Sequence, residues 1–110
     1  MSRDALGSFE LMVLLAVLRV GRDAYGVPIA EELEASGGRV VLLGSVYAAL
    51  ARLEAKGLVS SRLGDATPER GGRAKKYFTV TTKGLRQARE TQRALVALWR
   101  GVPALKGGAA

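Results

Sequence analysis

Basic side chains carry the most conspicuous chemistry in this sequence, and they are concentrated in its second half. Residues 60–93 hold nine Lys and Arg against three acids, whereas residues 1–59 hold six against seven. The 110-residue chain has a formal net charge of +7. Such a basic region suits an anionic partner, of which nucleic acid is the first candidate, although a solvated surface is the alternative. The secondary structure that positions these side chains distinguishes a nucleic-acid-binding surface from a solvated one.

The residue types that most enzyme centres require are missing from the chain. It contains no His and no Cys, which excludes the usual zinc sites and the Ser-His-Asp and Cys-His nucleophile systems. There is no glycine-rich phosphate loop and no conspicuous carboxylate pair, and Glu31, Glu32 and Glu34 are typical of a solvated helix face. We therefore expect a protein that is not an enzyme and that uses no cofactor or metal.

Neither a membrane span nor a signal peptide is predicted. The longest apolar run, residues 11–18, has eight residues, whereas a membrane span needs about 20. The first residues lack the basic start and the small-residue cleavage site of a signal peptide. The absence of Cys suits a reducing compartment. We therefore expect a cytoplasmic protein.

Hydrophobic spacing predicts four helices. The first follows the candidate N-cap Ser8 and is apolar nearly all round, so we expect it to be central. The third buries apolar residues on one side and has a slim outer face of small side chains, while Thr81 is a candidate cap of the fourth. The helices are expected to cover about 8–20, from 25–28 to 36–38, from 44–45 to 56–57, and 82–99.

The segments between the helices predict a winged helix. A β-leaning run at 40–43 precedes the third helix, and strands at 58–63 and 75–80 flank a loop, 64–74, with three Gly, one Pro and two Arg. Three helices followed by a hairpin with a basic tip are typical of a winged helix-turn-helix. The fold class is thus mainly α with a small β-hairpin wing, and the third helix is the recognition helix.

The expected domain layout follows from this order. A winged-helix DNA-binding domain should cover residues 5–80, a C-terminal dimerisation helix 81–100, and a disordered tail 101–110. Ten apolar residues are expected to be core without chemistry of their own: Leu14, Leu18, Ile29, Leu33, Val46, Leu50, Leu53, Leu58, Phe78 and Val80.

The fourth helix carries the pattern of a helix–helix seam. Its seam residues follow 3-4-3-4 spacing, with a Gln at the polar register-setting position: Leu85, Ala88, Gln92, Leu95 and Trp99. The other side carries a basic stripe of Arg86, Arg89 and Arg93, which suits water or DNA. Because a winged helix leaves this helix no partner inside the monomer, we expect it to form the interface of a homodimer.

Several short motifs resemble the PadR-like family of bacterial transcriptional regulators. They occur in order and at the family's spacing over about residues 5–98: Leu6-Gly-Ser-Phe-Glu10, Leu14-Leu-Ala16, Ala24-Tyr-Gly26, Ser45-Val-Tyr47, Arg52-Leu-Glu54, Lys56-Gly-Leu58, Gly71-Gly-Arg73, and Tyr77 through Thr81-x-x-Gly84. The resemblance implies a homodimer that binds a two-fold DNA operator near a promoter, usually as a repressor. It also implies that the C-terminal helix supplies much of the dimer contact.

The single helix after the wing resembles the short-tailed branch of that family. Some members of the branch sense flat aromatic or drug-like molecules at the dimer interface, where a tryptophan of the last helix lines a pore. The resemblance therefore makes Trp99 a candidate ligand-binding residue and a small aromatic molecule a candidate effector. The alternative is that Trp99 is an ordinary interface anchor.

Four residues of the recognition helix are DNA-binding candidates. Ser45, near the helix N-terminus, suits a phosphate, and its alternative role is the N-cap. Tyr47 can donate its hydroxyl to a phosphate, or it is simply a core residue. Ala48 admits close approach to a base edge or a thymine methyl. Arg52 reaches a phosphate or pairs with an acid on its own helix.

Four further candidates belong to the wing. Arg70, Arg73, Lys75 and Lys76 are suited to follow the DNA backbone or to enter the minor groove. Strand alternation points Lys75 and Lys76 to opposite faces, so we expect only one of the two to contact DNA.

Two other functions fit the same architecture. Some winged helices bind RNA or DNA without sequence preference, and others are protein-interaction modules. Specific readout requires a loss of affinity on scrambled DNA. A protein-interaction module is expected to have an acidic or apolar recognition face, and the basic wing argues against it.

Overall fold

The computed structural model describes residues 6–38, 40–64 and 75–105 of the 110-residue chain. Four α-helices and one antiparallel pair of strands follow in the order α1 (Ser8–Val20), α2 (Gly26–Gly37), α3 (Leu43–Ala55), β1 (Val59–Leu63), β2 (Lys76–Val80) and α4 (Thr82–Arg100). Short 3-10 turns cover Gly21–Asp23 and Pro103–Leu105. The predicted fold class, mainly helical with a β-hairpin, is confirmed.

The first helix is central, as its apolar composition predicts. Helix α1 packs against α2, α3, β2 and the start of α4, and its Val13 and Leu14 are fully buried. Eight of the ten predicted core residues are buried, and Val80 is half-buried. The prediction for Leu18 is wrong, because it is 43% exposed on the side of α1 that faces α4.

The segment before α3 does not form the expected short strand. Residues 40–42 are irregular, and Leu43 already belongs to the helix. The backbone N–H groups of Ser45 and Val46 donate to the Leu42 carbonyl at 3.0 and 3.2 Å, so the helix begins at Leu43. Val40 and Leu42 are 80% and 75% exposed. The β-branched residues of this segment have no neighbouring strand to pair with in the described part of the chain. Their local preference for strand is therefore not realised.

The helix ends use both backbone and side-chain capping. Gly7, rather than Ser8, is the N-cap of α1, and its N–H donates to the Glu10 carboxylate at 3.3 Å. Thr81 caps α4 as predicted, since its hydroxyl accepts a hydrogen bond from the Gly84 N–H at 3.0 Å. Helix α2 ends at Gly37 and is capped by Gly38, whose φ of 78° lies in the left-handed region that favours glycine.

The hairpin is attached to the helical core at both strands. β1 and β2 pair from Val59 opposite Val80 to Leu63 opposite Lys76. The Phe78 N–H donates to the Ala24 carbonyl at 2.8 Å, which ties β2 to the segment between α1 and α2. At the start of α4, a Cβ on Gly84 would overlap the Leu58 carbonyl oxygen. Only glycine therefore allows α4 to start this close to the backbone before β1.

The second half of α4 projects from this core. Every residue from Gln92 to Arg100 is exposed, and the molecule measures 56 × 29 × 20 Å along its principal axes. No helix in the three described stretches has the length and apolar run that crossing a bilayer requires. Residues 103–105 form a 3-10 turn, and the rest of the predicted tail, 106–110, lies outside the described residues.

Candidate nucleic-acid and dimer interfaces

The recognition helix has one fully buried side and one exposed side. Val46, Ala49, Leu50 and Leu53 are completely buried and fix α3 against the core. The opposite side is exposed and carries small side chains together with one tyrosine and one arginine: Ser45, Tyr47, Ala48, Ala51, Arg52 and Ala55. The predicted division of this helix into a core side and a slim outer side is therefore correct. A face this slim can approach the floor of a DNA major groove.

The N-terminal end of α3 is built differently from the prediction. Leu42 occupies the N-cap position and offers no side-chain oxygen, while Ser45 lies inside the first turn. The N-cap alternative for Ser45 is thus wrong, and its exposed hydroxyl is not needed for capping. In the first turn of a helix, a serine hydroxyl and the backbone N–H groups can together bind an anionic group.

Tyr47 joins the recognition helix to the start of α2. Its side chain is 43% exposed, and its ring lies so close to Gly26 that a Cβ there would overlap it. The interpretation of Tyr47 as a pure core residue is therefore wrong. The ring packs at the edge of the core, and its DNA contact stays a prediction.

Arg52 of α3 and Lys56, the C-cap residue that follows this helix, share one carboxylate from α1. The Arg52 Nε lies 2.8 Å from Glu10 Oε2, and the Lys56 Nζ lies 2.6 Å from Glu10 Oε1. The acid that pairs with Arg52 therefore comes from α1. The expectation that it would come from the same helix as Arg52 is wrong. Arg52 keeps 53% of its side chain exposed, whereas Glu10 keeps 9%.

The ionised form of Glu10 is favoured. Burial raises the pKa of this carboxyl, but hydrogen bonds from Lys56, Arg52 and the Gly7 backbone together lower the pKa by more than burial raises it. The net shift is therefore downward. The group therefore stays charged at neutral pH. It holds the N-terminus of α1 against the last turn of the recognition helix.

The wing strands are tied to α3 by Glu54. The Ser61 hydroxyl of β1 donates to Glu54 Oε2 at 2.6 Å, and the Lys76 Nζ of β2 lies 3.4 Å from Glu54 Oε1. The Ser61 hydrogen bond, followed by the weaker influence of Lys76, lowers the pKa of the Glu54 carboxyl. This acid therefore fixes the hairpin relative to the recognition helix.

The two lysines at the base of the wing lie against different neighbours. The Lys75 Nζ is 4.5 Å from the centre of the Tyr25 ring, whereas Lys76 reaches Glu54 and lies 5.7 Å from the Phe78 ring. This separation follows from strand alternation. Arg70 and Arg73 lie outside the described residues, and their DNA contacts stay predictions.

Sequence reasoning missed a cluster of cations and tyrosines at the base of the wing. Arg62 is paired in register with Tyr77, and its guanidinium lies 4.7 Å from the centre of that ring. Tyr77 in turn meets Tyr25 edge-to-face at 5.8 Å. We call Tyr25, Arg62, Lys75 and Tyr77 the wing-base cluster. A sequence signal for this cluster was available. Arg62 and Tyr77 lie on the two strands of the predicted hairpin, and cations stack on such rings.

The described part of the chain offers no metal centre, because no three acidic side chains converge there. Phosphate oxygens are suitable partners for the basic and hydroxyl groups already described.

A second surface runs between α1 and α4. It is an open groove of about 430 Å³ with a mainly aliphatic lining: Leu11, Leu15, Leu18, Leu85, Ala88, Arg89, Gln92, Leu95 and Val96. Four of the five predicted seam residues therefore lie together. Trp99 is on the projecting end of α4 and is 55% exposed, outside this lining.

Two expectations for α4 are corrected by this groove. The helix does have a partner inside the monomer, because Leu85 and Ala88 are half-buried and Ala88 packs against the core beside α1. Arg89 lines the groove instead of lying only on the opposite stripe. A residue four positions after Leu85 falls at the flank of the same helix face, which explains its place.

Comparison with known proteins gives one consistent result. The sequence model of the transcriptional regulator PadR-like family matches residues 14–90. A PadR family transcriptional regulator from Eggerthella lenta DSM 2243 is 29% identical, with a TM-score of 0.69 over 87% of this chain and 81% of that one. A PadR-like transcriptional regulator from Bacillus cereus strain ATCC 14579 is 26% identical, with a TM-score of 0.69 over 90% and 91% of the two chains.

A third solved structure extends the agreement in fold. A PadR family transcription regulator from Clostridium difficile R20291 has a TM-score of 0.73 at 21% identity, over 92% of this chain and all of that one (100%). None of the curated proteins compared with the chain matches it. The matched family segment runs from the middle of α1 to the middle of α4, and it includes the recognition helix and the hairpin. The chain therefore belongs to the PadR-like family of transcriptional regulators, which are DNA-binding proteins and not enzymes.

Proposed function

We propose that this regulator binds a two-fold DNA operator as a homodimer and represses the promoter it covers. The observation that carries the proposal is the exposed, slim side of α3 beside the wing-base cluster. The recognition helix enters the major groove with residues of its first turns, among them Ser45 and Ala48. The wing contacts the neighbouring backbone through its basic side chains.

The α1–α4 groove supports the dimeric state. Leu15 and Leu18 on α1 are 44% and 43% exposed, and Leu95 and Trp99 on α4 are 51% and 55% exposed. Monomeric proteins seldom leave a continuous apolar surface of this kind in water. A second copy that packs its own α4 along this surface covers it and completes the seam of Leu85, Ala88, Gln92, Leu95 and Trp99.

A two-fold dimer sets the spacing of the operator. Each recognition helix reads one half-site, and the half-sites lie about one helical turn apart, roughly 34–36 Å, or a multiple of that distance. Repression follows when such a dimer occupies DNA that RNA polymerase needs. The family resemblance supports repression over activation.

Selection of bound fragments from random duplex DNA tests this proposal. The expected product is a sequence with two inverted half-sites at the stated spacing, bound by one dimer. Recovery of unrelated fragments, with no preference over scrambled duplex, would favour a non-specific binder. Failure to bind DNA at all would favour a protein-interaction module.

A small aromatic effector is the second part of the proposal, and Trp99 supports it. This is the chain's only tryptophan, and over half of its side chain is exposed in the monomer. Two indoles near a two-fold axis form a flat apolar slot that accepts planar phenolics or aromatic cations. Titration of such compounds should quench the indole fluorescence saturably and weaken operator binding. Unchanged emission in a protein that still sediments as a dimer would leave Trp99 as an interface anchor only.

A further inference from the structure

The outer side of the recognition helix is unusually poor in groups that can hydrogen-bond to bases. Helix α3 contains no Asn, Gln or Lys within its limits of Leu43 to Ala55. Four residues on the exposed side have at most one side-chain carbon: Gly44, Ala48, Ala51 and Ala55. The common hydrogen-bonding readers of bases, which are Arg or Lys for guanine and Asn or Gln for adenine, are thus reduced to Arg52.

Arg52 is badly placed to read a base. It lies in the last turn of α3, whereas recognition helices contact bases mainly through their N-terminal residues. Its Nε is already hydrogen-bonded to Glu10 at 2.8 Å. The guanidinium is therefore suited to a phosphate at the edge of the groove, which fixes position but carries no sequence information.

The N-terminal end of α3 offers apolar carbon instead. The Ala48 methyl is exposed. Leu42 at the N-cap and Leu43 at the first position of the helix are 75% and 40% exposed. These side chains gain stabilisation when they leave water. In the major groove, the only apolar feature that distinguishes one base pair from another is the C5-methyl group of thymine.

We infer that this regulator recognises its half-site mainly through thymine methyl groups, which pack against Ala48 and the leucines at the start of α3. The inference rests on the proposed DNA-binding function and specifies its ligand. The Ser45 and Tyr47 hydroxyls add hydrogen bonds of low selectivity, because a hydroxyl both donates and accepts. Charge complementarity with the duplex is expected from Arg62 and Lys75 of the wing-base cluster, because such cations suit phosphates. Their charged groups lie 4.7 and 4.5 Å from the centres of the Tyr77 and Tyr25 rings.

Replacement of thymine by deoxyuridine in the selected operator tests this inference. Uracil pairs as thymine does but lacks the methyl group. At one or two positions in each half-site, the affinity should fall about three- to fivefold per methyl, as expected for loss of one buried methyl. At the same positions, a 5-methylcytosine–guanine pair should bind better than a cytosine–guanine pair, because it restores the methyl.

Two matched variants assign the contact to the protein. Ala48→Gly should lower affinity for the thymine operator and abolish the difference between thymine and uracil at one position. Ala55→Gly makes the same change at the far end of the same exposed side, and it should leave the uracil profile unchanged. Folding of both variants is checked by circular dichroism before binding is measured.

The outcomes separate this inference from the proposed function. If uracil at every thymine leaves affinity unchanged while scrambling abolishes binding, the methyl readout is wrong and operator recognition stands. If Ala48→Gly keeps the full uracil profile, no thymine methyl meets Ala48 and the inference is overturned. If selected and scrambled duplexes bind equally, the proposed function itself fails.

Discussion

Glu10 links the recognition helix to α1 through hydrogen bonds to its two carboxylate oxygens. Its carboxylate accepts hydrogen bonds from Arg52, Lys56 and the Gly7 backbone, and these bonds lower its pKa in spite of burial. A group with a lowered folded-state pKa stabilises the protein above its unfolded pKa. That stabilisation is lost as the pH falls through the folded-state pKa.

Glu10→Gln should therefore destabilise the protein in a pH-dependent way. At neutral pH we expect a loss of about 2 kcal/mol of unfolding free energy, the size of hydrogen bonds to a charged group. The difference should shrink at acidic pH, as the wild-type carboxyl becomes protonated below its lowered pKa. Urea unfolding at neutral and at acidic pH measures it, and Glu31→Gln on the exposed side of α2 is the control. A pH-independent difference contradicts this role of the charge.

Arg52 and Arg73 should both contact phosphates. Alanine at either position should weaken binding to all duplexes and reduce the slope of log affinity against log salt by about one. Arg19→Ala is the matched control, since Arg19 pairs with Glu32 between α1 and α2, 2.7 Å away. Fluorescence anisotropy over a salt series gives the slopes. If both variants bind as the parent does, the docking face is misassigned and a protein-interaction role gains support.

At the scale of elements, the junction between the hairpin and α4 depends on a glycine. A side chain at Gly84 would overlap the Leu58 carbonyl, whereas a side chain at Gly44 meets nothing within 4 Å. Both glycines lie inside helices. The two positions therefore separate steric cost from helix propensity.

Gly84→Ala should destabilise the protein by about 1–3 kcal/mol through overpacking. Gly44→Ala should stabilise it by roughly 0.5–1 kcal/mol, because alanine is the better helix former. Thermal or urea unfolding of both variants measures the contrast. The same Gly→Ala change is thus expected to have opposite signs at the two positions, and a stabilised Gly84 variant would contradict the packing at this junction.

The sequence predicts elements better than it predicts contacts between them. Val46, Ala49, Leu50 and Leu53 are spaced for one side of a helix, and that side is buried. The strand expected at 40–43 failed because strand formation depends on a partner that local sequence cannot supply.

Long-range pairs explain most of what sequence reasoning missed at the site. Arg52 and Glu10 are 42 residues apart, so the spacing of residues within a helix cannot predict their contact. Leu18 resembles a core residue by composition, but it faces a groove that stays open in one protomer. The wing-base cluster needs the strand register of Arg62 with Tyr77, which follows only once the hairpin is paired.

At the scale of the whole molecule, the projecting helix α4 makes the operator complex depend on dimerisation. Leu95→Lys places a charge in the proposed seam and should shift the protein toward monomer, with much weaker operator binding because the half-sites no longer act together. Truncation after Thr82 should do the same. Ala94→Lys, one residue away on an exposed position, should leave the dimer intact. Analytical ultracentrifugation distinguishes them, and a dimeric Leu95 variant would contradict the seam.

The affinity for the selected operator and for its scrambled duplex, measured across a salt series, tests the central claim most directly. Operator DNA should bind at least about a thousandfold more tightly than scrambled DNA at physiological salt. Affinity for both should fall steeply with salt, because each neutralised phosphate contributes about 0.9 to the log–log slope. Equal affinity for the two duplexes, or an affinity that does not change with salt, would contradict sequence-specific DNA binding by this protein.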